Sequence, residues 1–237
     1  MVWKSKKRKV NTEEYREFIK KHFPYSSVVK ESQIENIYKR VCENNIITNT
    51  FEINIDNFNK EVSDVFLSRY LYFFNKLLLQ VPTNDIDSIN YYIRSISENL
   101  LKFIYAINSD KEFKYINTIS FRHLNEELKP LVCRSNYKVE VDLLFDIYGK
   151  NSNLLHKKTS TEKQCLNYIE NIITENVIDI KSLDKKLIQI INIYEKVVSN
   201  HFEFKQKDMD SKSCISLKRI LTTSRYKVLV NNLYKEI

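Results

Sequence analysis

Apolar residues recur at helical spacing along most of the chain. Between Asn57 and Gln80, the positions Val62, Val65, Phe66, Tyr70, Phe73, Phe74, Leu77 and Leu78 predict a long, mostly buried helix stopped by Pro82. Residues 85–107 carry a second stripe on Ile89, Ile93, Ile96, Leu100, Phe103, Ile104 and Ile107, with Thr83, Asn84 and Asp85 ahead of it as capping side chains. Arg94 and Glu98 stand four apart on that helix, the spacing of an intrahelical ion pair. Shorter helices are predicted over 12–23 and 120–129, each ending before a proline, Pro24 and Pro130.

Residues 137–157 place Val141, Leu144, Phe145, Tyr148, Ser152, Leu155 and His156 on one broad helical face. A further helix is predicted from Thr159–Thr161 to about residue 175, and another over 181–203 on Leu183, Leu187, Ile190, Ile191, Tyr194 and Val198. Ser32 and Glu35 have the spacing of a capping box before Ile34, Ile37, Tyr38 and Val41, and the tail from Ser213 reads as helical and basic. The stretch 50–56, where Phe51, Ile53 and Ile55 alternate, reads as a short strand or an extended connector.

Composition sharpens this to an all-α protein. One glycine and three prolines in 237 residues leave little for the tight turns that sheets need. The pattern divides into a basic, helical extension (1–56), a helical bundle (57–203) and a helical tail (204–237). A phosphate-cradling loop needs several glycines close together, so P-loop and dinucleotide-binding functions are excluded. The single glycine, Gly149, falls inside a predicted helix at a cost of about 1 kcal/mol relative to alanine. That suggests close approach of another backbone or a ligand.

Cys42, Cys133, Cys165 and Cys214 are scattered without a CxxC pair, which suits free thiols in a reducing compartment. With neither a signal peptide nor an apolar run of membrane-spanning length, the expectation is a cytoplasmic protein. A net charge of +8, with Lys4, Lys6, Lys7, Arg8 and Lys9 near the N-terminus, favours a polyanionic partner.

Candidate chemistry centres on His156. His22 and His201 sit beside phenylalanines at helix ends and read as packing residues, while His123 follows Arg122 and could touch phosphate. Around His156, Lys150, Asn151 and Ser152 precede and Lys157 and Lys158 follow. A histidine that titrates near neutrality, set among cations that stabilise a phosphorane, suits RNA cleavage by 2′-hydroxyl attack. No acidic cluster or metal-ligand spacing accompanies it, so no metal or cofactor is expected.

Taken together, Tyr92-Ile93-Arg94 with Glu98, Leu101 and Tyr105, then ISFRHLNEELK, then LFDIYGKNSNLLHKK, resemble the HEPN superfamily over roughly residues 60–203. The resemblance is to its bacterial abortive-infection and defence-associated branches. It implies a helical bundle that dimerises and, in active members, metal-independent ribonuclease activity. The family's signature is an arginine, four to six residues, then a histidine. His156 matches the histidine, but Gly149, Lys150 and Asn151 occupy the positions open to the arginine. Lysine supplies a point charge without arginine's bidentate fork.

Two functions therefore follow. One is a defence- or toxin-like protein that binds RNA and cleaves it with His156, Lys150, Asn151 and Ser152, contacting RNA through Lys157, Lys158, Arg94, Arg122 and His123. The other is a non-catalytic module that dimerises or holds a partner protein such as an antitoxin. The first expects convergent cations around the His156 helix end, and the second an apolar face there.

Overall fold

The computed structural model describes residues 12–54, 60–135, 137–155, 178–201 and 211–233. The described residues form ten α-helices and one 3₁₀ turn, with no strand. In chain order they are α1 (Glu13–His22), the 3₁₀ turn (Ser27–Lys30), α2 (Ile34–Asn54), α3 (Lys60–Thr83), α4 (Ile86–Asn108), α5 (Phe113–Thr118), α6 (Phe121–Val132), α7 (Lys138–Leu155), α8 (Ile180–His201), α9 (Ser211–Ile220) and α10 (Thr223–Leu233). The protein is all-α.

Helix α4 is the centre. It packs along both α3 and α7, because its stripe is broad: Ile89, Ile93, Ile96, Leu100, Leu101, Phe103 and Ile104 are all buried. Helix α2 lies against α3 and α8, while α9 and α10 close over α2 and α8. One hydrophobic cluster runs from Tyr15 in α1 through to Leu229 in α10. The helices flanking 57–203 thus share its core.

Three local expectations are corrected. Residues 50–54 form the last turn of α2 rather than a strand or extended connector. Helix α3 continues one residue past Pro82. Proline removes the N–H that would bond the carbonyl four residues back. That carbonyl, Leu78 O, instead accepts from the Tyr15 hydroxyl at 2.7 Å, so a contact from α1 repairs the helix. Helix α6 likewise runs through Pro130 to Val132. The third correction is the capping box: Glu35 accepts from Arg16 Nε at 2.9 Å and from Thr12 Oγ1 at 3.1 Å, tying α1 to α2.

The α3–α4 corner forms largely as its residues predict. Asn84 takes a left-handed backbone, φ 58°, which asparagine tolerates better than most residues. Asp85 is the N-cap, its Oδ1 accepting from the Ser88 N–H at 3.0 Å. The predicted helix at 159–175 lies outside the described residues.

Candidate functional site

The C-terminal half of α7 carries the predicted site, and α4 holds it in place. Tyr148 is buried and stacks on Phe121 at the start of α6, with ring centroids 3.4 Å apart and planes 11° from parallel. The Arg94 guanidinium lies over the Tyr148 ring, 4.9 Å from its centroid. Burial raises the Tyr148 hydroxyl's pKa; a hydrogen bond from Arg94 opposes that, and the charge of Glu98 adds to it. The expected Arg94–Glu98 pair is replaced: Glu98 bonds Lys102 at 3.1 Å, leaving the guanidinium on the aromatic ring.

Past Tyr148 the helix offers a mixed set. Gly149 is helical, and a Cβ placed on it would meet nothing within 4 Å, so no neighbour requires the missing side chain. Lys150 is exposed and bonds Asp146 at 2.6 Å. Asn151 is fully buried, its Nδ2 donating to Ile147 O at 2.6 Å while its Oδ1 has no partner. Enclosed in this way, Asn151 faces the interior rather than a phosphate in solvent. Ser152 is half-buried. His156, Lys157 and Lys158 lie outside the described residues.

Arg122 and His123 sit on α6, immediately after Phe121. Both are exposed, and both turn to one carboxylate: Glu126 accepts from Arg122 Nε at 3.0 Å and lies 3.2 Å from His123 Nδ1. Those two contacts, Arg122 first, lower the Glu126 pKa. The basic character of this turn is therefore partly neutralised.

A cation the sequence reading passed over completes the picture. Lys186 of α8 is half-buried and forms no ion pair among the described residues; burial first and the charge of Lys150 second lower its pKa, with Asp179 acting in the opposite sense. Asp179 itself caps α8, accepting from the Ser182 N–H at 2.9 Å. The charge of Lys150 on α7 is thus felt at Lys186 on α8, although Lys150 itself is paired with Asp146. The signal was available: Lys186 stands three after Leu183 and one before Leu187, at the edge of the α8 apolar stripe.

Lys186 lines a cavity of about 230 Å³ between α4, α7 and α8, walled by apolar residues including Ile89, Ile93 and Leu154. A larger cavity of about 650 Å³ beside α6 is lined by Glu127 and Lys111. There Glu127 already accepts the hydroxyls of Tyr105 and Tyr115, which lower its pKa. Its polar group is satisfied.

Among the described residues, no group of three His, Cys, Asp or Glu is placed to hold a metal ion, and no helix is long and apolar enough to cross a membrane. Comparison of the chain with protein-family models, curated proteins and solved structures finds no match.

Proposed function

We propose that the protein binds RNA at the C-terminal end of α7 and cleaves it without a metal ion, as a dimeric, defence- or toxin-like member of the HEPN superfamily acting in the cytoplasm. In this reading His156 takes the proton from a ribose 2′-hydroxyl, whose oxygen attacks the adjacent phosphorus. The 5′-oxygen leaves with a proton returned by an acid, giving a cyclic phosphate. Lys150, Lys157 and Lys158 hold the anionic phosphate, with Lys186 as the added partner.

The observation that supports the reading is Lys186, half-buried without an ion pair among the described residues and within the field of Lys150. A lysine half-buried without an ion pair is costly to keep charged. A phosphate at that place would relieve both the desolvation and the repulsion between the two ammonium groups.

The test is direct. Purified protein is incubated with labelled RNA in the presence of EDTA, alongside His156→Ala. Wild-type cleavage that resists EDTA and disappears in a folded His156→Ala variant supports the proposal. RNA that is bound but never cut would leave a binding module, and RNA that is not bound at all would turn the assignment to protein interaction.

A further inference from the structure

The paired helices α3 and α4 carry a row of aromatic rings that the α7 site does not use. Tyr72 and Phe73 of α3 meet edge to face with centroids 5.5 Å apart. Phe73 reaches Tyr92 of α4 at 6.2 Å, and Tyr92 meets Tyr91 at 5.4 Å. The two middle rings are half-buried where the helices pack, while the end rings, Tyr72 and Tyr91, are 53% and 49% exposed. Successive helical residues point roughly 100° apart, so the end rings splay outwards from the middle pair. A contiguous run of partly exposed rings marks a binding face, unlike apolar residues scattered singly.

The charge around the row selects its occupant. Arg69 and Lys76 stand three before and four after Tyr72, and so share its side of α3. Lys76 Nζ lies 5.2 Å from the Tyr72 centroid, and Arg69 donates to the side chain of Asn117. Each cation is thus met by a neutral group. Asp87, one turn before Tyr91 on α4, is exposed and makes that end of the row the less favourable one for an anion. The anion-binding end is therefore on α3.

Cations beside aromatic faces suit an unpaired nucleic-acid strand, whose phosphates follow the charge while its bases stack on the rings. A duplex keeps its bases stacked on one another and offers the rings nothing. The row also leads towards the candidate site: Arg94 stands one turn after Tyr91 and lies over Tyr148 of α7.

We propose that this row is a stacking platform for single-stranded RNA, with bases on Tyr72 and Tyr91 and phosphates held by Arg69 and Lys76. The proposal rests on the RNA-binding reading above and names its substrate class, a strand that is unpaired where it crosses α3 and α4.

Fluorescence anisotropy tests it on the full chain, comparing a labelled single-stranded RNA of mixed sequence with the same strand in duplex. The proteins are wild type, Tyr72→Ala, Tyr91→Ala, the matching Phe variants and Lys76→Gln. A base stacked on an aromatic ring contributes ~1–3 kcal/mol, or about 5- to 140-fold in affinity. Wild type should favour the single strand, and each Ala variant should lose affinity by that order. The Phe variants should keep it, since the ring carries the stack. Lys76→Gln should reduce the salt slope by about 0.7 for the lost phosphate contact, while Tyr72→Ala leaves the slope unchanged.

A strand containing 2-aminopurine should lose emission on binding wild type, and lose less on binding either Ala variant, which reports stacking directly. Equal binding of single strand and duplex, or unchanged affinity in both Ala variants, would overturn the platform while leaving RNA binding at α7 intact. Ala variants that keep RNA affinity but dissociate a wild-type dimer in sedimentation would overturn it too, and assign the row to a contact between copies. No binding of either RNA by wild type would remove both readings.

Discussion

The Arg94 guanidinium sits 4.9 Å from the centroid of the Tyr148 ring, bridging the central helix α4 to the helix that leads into the candidate site. Arginine over tyrosine contributes about 0.5–2 kcal/mol, more as water is excluded. Tyr148 is only 5% exposed, so the contact is at the favourable end of that range.

Arg94→Ala should accordingly lower unfolding stability by about 1–2 kcal/mol in urea titrations, with Arg94→Lys recovering part of it. RNA affinity should change mainly through the fold. A fully stable Arg94→Ala protein that no longer binds RNA would instead place the guanidinium on the nucleic acid.

Gly149→Ala should stabilise the protein. Its Cβ would occupy open space, and glycine inside a helix costs about 0.5–1 kcal/mol relative to alanine. Thermal melting should show a rise of a few degrees. A fall would mean that the space beside α7 is occupied in the assembled protein, as by a second copy or bound RNA.

The lowered pKa of Lys186 gives a pH dependence with a definite sign. Its folded value lies below 10.5, so between the two values the unfolded chain binds more protons, and stability rises with pH through that window. The groups acting on it are Lys150, which Asp146 partly neutralises, and Asp179. Wild type should therefore gain stability relative to Lys186→Met as pH rises towards 10.5. RNA binding should weaken over the same window in wild type and lack that inflection in Lys186→Gln. Parallel melting and binding curves for wild type and variants would refute both parts.

Where α10 meets α2 and α8, Arg225 bonds Glu43 at 2.8 Å and also bonds Glu195, two carboxylates that are 3% and 13% exposed. Burial raises the Glu195 pKa even with Arg225 beside it. Removing one partner of a buried pair costs about 3–5 kcal/mol, because the remaining charge stays buried. Arg225→Met should show a loss of that size in urea unfolding. A loss under about 1 kcal/mol would assign the pair the weight of a surface contact.

Much of the fold was legible because the stripes of α3, α4 and α8 are long and regular, and because Asp85 is a cap of the ordinary kind. What misled were partners distant in sequence. Pro82 looked like a stop because no local residue could satisfy Leu78 O; the satisfying hydroxyl is Tyr15. Glu35 looked like a cap because Arg16 was not visible as its competitor. The same reason hid much of the site. Lys186 drew no attention in the sequence, because its partial burial depends on α4 and α7 packing beside α8. Asn151 drew attention through its spacing to His156, yet its spacing on α7 places it inside.

The left-handed Asn84 also reaches across the fold: its Oδ1 accepts the N–H of Ile178 at 3.1 Å, just before α8 begins. The α3–α4 corner is thus a clasp on the chain where it returns from residues 156–177, while α7, packed on α4, fixes where it departs. The two ends are thereby referred to one helix: through α4, the framework sets the distance between the departure at Leu155 and the return at Ile178.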